Sequence, residues 1–200
     1  MNTSITSGQK KQIGRVVTDA IESALEVLDL TKDEAQSVLE QGDAFKRLLL
    51  DEVRKLSKVA RYTITVDYGK FVEEMVAAGQ YDWKNGDITS KNFPQSNTGV
   101  VAVSTVLIHL NKSVSSEVVL AHLEANGLRP ATLAELLAFG ATYPEIQRQF
   151  PVIALGSSWV HSDGNRCVPC LNRANRDRVL YLDWFDGGWG DFCRFLAVRK

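Results

Sequence analysis

The sequence contains three cysteines, and together with His161 they form a candidate metal site. Cysteine thiolates and imidazole are the ligands that tetrahedral zinc prefers, and Cys167 and Cys170 have a common ligand spacing. The four candidate zinc ligands are His161, Cys167, Cys170 and Cys193. Residues three apart on a regular strand face opposite sides, so Cys167 and Cys170 can share an ion only if Pro169 introduces a bulge. The alternative is that the thiols are buried as small apolar side chains.

A serine nucleophile is a second candidate centre, because Ser157 and Ser158 follow a glycine and the chain contains three histidines, His161 among them. An imidazole can take the proton of a serine hydroxyl during nucleophilic attack. The sequence lacks the G-x-S-x-G motif of many hydrolases. His109 and His122 fall on an apolar strand and on a helix, where a hydrogen-bonded structural histidine is typical. A zinc-dependent or serine-based enzyme is therefore the alternative to a binding function.

Aspartates flank a glycine-rich segment near the C-terminal end of the sequence. Asp183 and Asp186 precede and Asp191 follows the residues Gly-Gly-Trp-Gly, and carboxylate and carbonyl oxygens are the ligands that calcium prefers. The alternative is a hairpin connection in which aspartate and glycine form the turn. Trp189 lies between glycines, where no regular strand face is expected to bury it, so it is predicted to contact a ligand.

The loop from Asn172 to Arg178 contains three arginines and one acidic residue. Guanidinium groups bind carboxylates and phosphates through paired hydrogen bonds, so this loop is a candidate anion site, with a solvated loop as the alternative. Loops that join strands commonly carry binding residues. The predicted ligand-binding residues are Trp189, Asp186, Asp191, Arg173 and Arg176.

Residues 1–60 are predicted to form a helical unit. Apolar residues recur in its first half at spacings of three and four, as they do on one face of a helix. They are Ile13, Val16, Val17, Ala20, Ile21, Ala24, Val27 and Leu28. Thr31 and Glu34 have the capping-box spacing that starts a second helix. The unit is a hairpin or three helices, and its apolar stripes must be buried either within the unit or against a second copy; the second alternative gives a homo-oligomer through these helices.

Residues 61–200 are predicted to form the domain that carries the candidate ligand-binding residues. Alternating apolar residues predict a strand over residues 62–66, and residues 100–110 are apolar on both faces, as in a strand near the centre of a sheet. Two helices follow, the second opening with a capping box at residues 132–135. Four strands then complete the chain, the first over residues 152–160. This order predicts an α+β fold with two helices and a mainly antiparallel sheet.

Composition excludes several classes of protein. The 200 residues are 44% hydrophobic and 24% charged, which is average for a soluble globular protein. The net charge of -1 argues against a nucleic-acid partner, which is a third hypothesis for the function. No apolar run approaches a membrane span, the N-terminal residues lack the apolar core of a secretory signal, and three cysteines do not suit a disulfide framework. A cytoplasmic location without a membrane partner is therefore expected.

Three segments carry a resemblance to known families: residues 129–140 (RPATLAELLAFG), 154–159 (ALGSSW) and 194–199 (RFLAVR). They resemble an uncharacterised bacterial family that shares residues 61–200. This region is also similar to C-type lectin-like domains, including the formylglycine-generating-enzyme type and the retroelement-diversified variable proteins. The resemblance implies a strand, two helices and a run of strands. The Glu-Pro-Asn and Trp-Asn-Asp signatures of calcium-dependent lectins are absent, and no position matches the catalytic cysteines of the formylglycine-generating type.

A scaffold of this kind does not define an activity, because unrelated functions share one fold. The sequence predicts a non-enzymatic binding or interaction protein that presents a loop surface to a protein or small-molecule ligand. No cofactor is expected, and zinc and calcium are the candidates if one is bound.

Overall fold

The computed structural model describes residues 6–57 and 61–200, with their side chains except those of residue 39 and residues 50–57. Two compact units divide between Ser57 and Lys58. The predicted boundary near residue 60 and the first five residues of the predicted helical unit lie outside the described residues. Within the described ranges, no helix combines the length and the apolar character needed to cross a membrane.

The first unit contains three helices in its described residues. They are α1 (Ser7–Leu28), α2 (Lys32–Glu40) and α3 (Gly42–Ser57). Thr6 and Gln9 form a capping box that starts α1, since each side chain accepts the backbone N–H of the other residue. The helix ends at Asp29, which adopts a left-handed conformation with a φ of 43°. No residue of α1 is buried, so its apolar stripe is not part of a core.

The second unit combines three helices with one sheet. The helices are α4 (Val72–Ala78), α5 (Ser116–Ala125) and α6 (Leu133–Thr142). The strands are β1 (Arg61–Asp67), β2 (Trp83–Lys84), β3 (Val100–Ile108), β4 (Leu128–Pro130), β5 (Val152–Ile153), β6 (Trp159–Val160), β7 (Arg166–Ala174), β8 (Asp177–Trp184) and β9 (Arg194–Arg199), and a 3₁₀ turn spans Phe185–Gly187. The strand order is β1-β3-β9-β5-β7-β8-β2, with β4 beside β9 and β6 beside β7. All pairings are antiparallel except β2 with β8 and β5 with β9, so the predicted α+β class is confirmed.

Strand β9 lies between the two hydrophobic cores of the second unit. It runs antiparallel to β3, with Thr105 opposite Val198. Leu196 and Val198 belong to the core that contains α4 and α6, whereas Phe195 and Ala197 belong to the core that contains α5. Because alternate residues of a strand face opposite sides, the two cores lie on opposite faces of the sheet.

Two strand predictions need correction. Residues 100–104 of β3 pair only with β1, because β9 reaches no further than Thr105, and all of them except the buried Val103 are exposed instead of central. The strand predicted over residues 152–160 is two short strands separated by a turn at Gly156. The N–H of Gly156 donates to the carbonyl of Ala131 at 2.9 Å, and a Cβ at this position would lie 2.5 Å from that oxygen. Only glycine allows this approach, which brings the turn against the start of α6.

Arg178, the last residue of the predicted polar loop, is buried. Its guanidinium donates to the carbonyl oxygens of Gly79 and Gly140 at 2.7 and 2.8 Å, and to Oε1 of Gln147 at 3.1 Å. The two carbonyls lie at the C-terminal ends of α4 and α6, where the helix dipole is negative. The guanidinium therefore joins both helices to β8.

Candidate functional site

A cavity of about 300 Å³ opens in the second unit beside the first turn of α6. It is lined by Tyr68 and Val72, by residues 92–97 of the loop between β2 and β3, by residues 132–134 and by residues 156–158. Its volume lies at the lower end of the range for small-molecule sites. The close approach of Gly156 to Ala131 positions residues 156–158 at the cavity, so backbone contacts within the fold form this part of its wall.

The lining combines apolar and uncharged polar groups. The buried apolar residues are Val72, Phe93, Leu133 and Ala134. Amides and hydroxyls come from Asn92, Gln95, Ser96, Asn97, Thr132, Ser157 and Ser158. Oγ of Ser157 accepts the N–H of Leu133 at 2.9 Å, so its own proton remains available for donation. The lining includes no Lys, Arg, His, Asp or Glu among the described residues, and it can therefore bond a neutral polar ligand and pack against it.

A fully buried carboxylate holds the first turn of α6 in place next to this cavity. Oε1 of Glu135 accepts the hydroxyl of Tyr68 at 2.8 Å and Nη2 of Arg129 at 2.6 Å. Oε2 accepts Nη1 of Arg129 at 2.9 Å and the backbone N–H of Thr132 at 2.7 Å. The predicted capping box is confirmed, because the backbone N–H of Glu135 donates to Oγ1 of Thr132. Four donors therefore converge on one carboxylate.

Hydrogen bonding decides the ionisation state of this cluster. Burial alone would raise the pKa of Glu135, but the bonds from Arg129, Thr132 and Tyr68 outweigh it and lower the pKa below its ordinary value. Burial and the bond to the carboxylate raise the pKa of Tyr68 to about 12. The bond to Glu135 also raises the pKa of Arg129. At neutral pH the cluster is thus a fixed ion pair with a neutral tyrosine.

The chain was compared with protein-family models, with curated proteins and with solved structures. No family model matches it, and neither does any curated protein or any solved structure.

The expectation that nothing buries Trp189 is wrong. Its side chain is 4% exposed and stacks edge-on against Phe195, with ring centroids 6.0 Å apart. The indole N–H donates to Oγ of Ser116 at 2.8 Å, and the backbone of Trp189 pairs with Val114. The flanking glycines allow the chain to turn this ring inward, against residues more than 70 positions earlier in the sequence. Trp189 is a core residue of the α5 side.

The other four predicted ligand contacts do not form one site. Asp186 lies in the 3₁₀ turn, with a carboxylate oxygen 3.7 Å from Nη2 of Arg166. Arg173 and Arg176 lie at the opposite end of the β7–β8 hairpin, which is about 23 Å long over seven residue steps. Asp191 is exposed, and its backbone carbonyl contacts Nε2 of His109 at 2.7 Å.

The structure does not bring the four candidate zinc ligands together. Strands β7 and β8 pair without interruption, so Pro169 makes no bulge, and Cys167 and Cys170 face opposite sides. All three cysteines are buried, whereas Nδ1 of His161 pairs with Asp163 at 3.0 Å. Over residues 6–57 and 61–200, no three His, Cys, Asp or Glu side chains form a group that could hold a metal ion. This also applies to the aspartates on either side of the glycine-rich segment.

The predicted serine centre is also separated from the histidines. Ser157 and Ser158 line the cavity, but none of the three histidines does. His122 lies on the exposed side of α5, and His161 packs edge-on against Trp159 at 5.3 Å. In the described part of the chain, Ser157 bonds the start of α6 and no imidazole.

Sequence reasoning missed the residues that build the cavity, apart from the serines and the capping box. Tyr68 had no local signal, because its partner Glu135 lies 67 residues away. The loop between β2 and β3 did carry one signal, since a long connection rich in Asn, Gln and Ser is often functional. The position of this loop beside α6 depends on tertiary contacts that the local pattern does not contain.

Proposed function

We propose that the second unit is a non-enzymatic binding module that holds a small, neutral, polar molecule in the cavity beside α6. The observation that carries the proposal is the lining itself, in which amides and hydroxyls stand beside buried apolar side chains without a charged group among the described residues. Neutral ligands with several hydroxyl groups, such as a sugar ring or a nucleoside, match this chemistry and this volume.

The ionisation states favour binding over acid–base catalysis at this site. Tyr68 is the titratable side chain of the lining, and its pKa of about 12 keeps it protonated at neutral pH. A general acid or base works best when its pKa lies near the operating pH. The lining therefore supplies hydrogen-bonding groups with fixed protonation, which suits recognition.

A C-type lectin-like scaffold is part of this proposal. In its support, β3 is followed by α5 and α6 and then by a run of short strands, and the last strand, β9, returns antiparallel to β3. This is the order of elements that the sequence resemblance implies. The cavity takes the place of the loop surface that the sequence predicted as the binding site. The residues predicted for that loop surface lie far apart from one another or, in the case of Trp189, are buried.

The test is ligand-observed saturation-transfer NMR on the full chain, with D-glucose, N-acetylglucosamine and adenosine as probes. We expect at least one neutral probe to receive saturation, and its phosphorylated counterpart to receive less, since the lining offers no cation. Ser96→Trp places an indole in the mouth of the cavity and is expected to abolish the signal. Thr98→Trp adds the same side chain two residues along, at an exposed position outside the lining, and is expected to preserve it.

Two results would overturn the proposal. One is the absence of saturation transfer to all three neutral probes. The other is a signal that survives both Ser96→Trp and Ser158→Trp, because such a ligand binds elsewhere on the protein. Ser96 and Ser158 are exposed, so both variants are expected to fold, and a near-UV circular dichroism spectrum checks this.

A further inference from the structure

Helix α1 has a continuous apolar stripe that no core of the described chain absorbs. Its members recur at spacings of four, three, four and three residues, which is the repeat of positions that meet between two paired helices. They are Ile13, Val17, Ala20, Ala24 and Val27, and Val16, Ile21 and Leu28 border them. None of these residues is buried, and Val27 is 85% exposed.

A helix of this kind needs a partner surface. α1 has 22 residues and is about 33 Å long. In proteins, most of the stability of a helix comes from packing its apolar face against another surface. The capping box at Thr6 fixes where α1 begins but supplies no packing. The stabilising contact must come from a surface that fits the stripe.

We infer that α1 packs against α1 of a second copy of this chain, with the two helices antiparallel. In the register that pairs Ile13 with Ala24 of the other copy, Val17 meets Ala20, and the two helices overlap over almost their full length. Each of these layers then holds one large and one small side chain, so the helices approach closely without leaving voids.

A parallel pair of α1 helices would pack less well and would place like charges together. It stacks Ala20 on Ala20 and Ala24 on Ala24, which leaves space, and Ile13 on Ile13, which crowds the same interface. It also stacks Lys10 on Lys10, because Lys10 lies seven residues before Val17 and shares its face. In the antiparallel pair, each Lys10 lies beside Val27, near the acidic end of the other helix.

The charges along α1 agree with this orientation. Its first half carries Lys10, Lys11 and Arg15, and its second half carries Asp19, Glu22 and Glu26. An antiparallel pair places the basic half of each copy along the acidic half of the other, whereas a parallel pair aligns like charges. Apolar contacts would supply the affinity, and the charges would select the orientation.

The first test measures the oligomeric state of the full chain by sedimentation velocity over a wide concentration range. We expect a concentration-dependent dimer. Val17→Asp puts a charge in the centre of the stripe and should weaken the dimer at least tenfold. Thr18→Asp adds the same charge at an exposed position off the stripe and should weaken it much less. Far-UV circular dichroism of both variants separates lost pairing from general unfolding. A monomer at all concentrations, or equal effects of the two variants, would overturn the inference.

The second test determines the orientation through engineered cysteines. Antiparallel pairing places residue 13 of one copy beside residue 24 of the other copy. The two residues 13 of the dimer then lie about 16 Å apart along the helix axis. Ile13→Cys alone should not cross-link under mild oxidation, whereas a mixture of Ile13→Cys and Ala24→Cys should give a disulfide-linked dimer. The unmodified chain is the control, because its own cysteines are buried. A disulfide dimer formed by Ile13→Cys alone would refute the antiparallel arrangement.

Discussion

Replacing Glu135 with glutamine tests whether the buried carboxylate holds α6 and the cavity in place. The side chain of Glu135 is fully buried and accepts four hydrogen bonds, two on each oxygen. Glutamine keeps one acceptor oxygen and turns an NH₂ group towards the remaining donors. Two bonds to a charged acceptor are therefore lost, and each contributes about 1.5–3 kcal/mol.

The two lost hydrogen bonds together contribute about 3–6 kcal/mol, and we expect the free energy of unfolding to fall by the lower value, about 3 kcal/mol. Two effects reduce it: the Arg129 side chain is 37% exposed and can regain water, and a neutral amide costs less to bury than a carboxylate. A loss of this size is a large part of the roughly 5–15 kcal/mol that stabilises a typical domain.

Urea unfolding followed by tryptophan fluorescence measures this loss in the second unit, because all four tryptophans lie in residues 61–200. With a slope of about 2 kcal/mol per molar urea, the midpoint should fall by about 1.5 M. Glu145→Gln is the matched control, since Glu145 is 73% exposed and pairs with Arg148 on the surface, where such pairs contribute little. Equal midpoints for the two variants would refute the role assigned to Glu135.

Three further predictions concern the same unit. Arg178→Met should lower the free energy of unfolding by about 3 kcal/mol or more in the same assay, because it leaves two helix-end carbonyls without a donor. Trp189→Phe should cost about 1–3 kcal/mol by removing the bond to Ser116, and a value near zero would contradict the inward packing of the indole. The folded-state pKa of Glu135 lies below its unfolded value, so the stability it contributes is present above the unfolded pKa and is lost as the pH falls through the folded pKa. The midpoint difference between the natural chain and Glu135→Gln should therefore shrink when the urea titration is repeated in acid.

Local signals in the sequence predicted the helices better than the sites. The capping box of Thr132 and Glu135 places the start of α6 correctly, because capping depends on residues three apart. A glycine just after a helix is a local signal of the same kind, and Gly127, which follows α5, has a left-handed φ of 67°. The sequence pattern also distinguishes the helical first unit from the mixed second unit, since the apolar period changes between them.

The prediction for Trp189 failed because the decisive contacts are non-local. Glycine neighbours normally indicate an exposed turn, and no local pattern reveals that Ser116 offers an acceptor for the indole. The cysteines illustrate the opposite case, since the alternation of side chains along a strand predicts that Cys167 and Cys170 face opposite sides, and the uninterrupted pairing of β7 with β8 gives that arrangement. Residue spacing in the sequence therefore predicts which way a side chain faces where the local backbone geometry alone determines it, and fails where distant residues determine it.

The hydrogen bonds already made around the cavity restrict what it can bind. The hydroxyl of Tyr68 donates its proton to Glu135, so its oxygen can only accept a further bond. Ser157 is in the opposite situation, because its oxygen accepts a helix N–H and its proton is left to donate. A ligand that contacts both must offer a donor to one and an acceptor to the other. Hydroxyl groups do both without charge, whereas a phosphate or carboxylate offers acceptors alone. The same carboxylate that stabilises α6 thus favours a neutral, hydroxyl-bearing ligand over an anion.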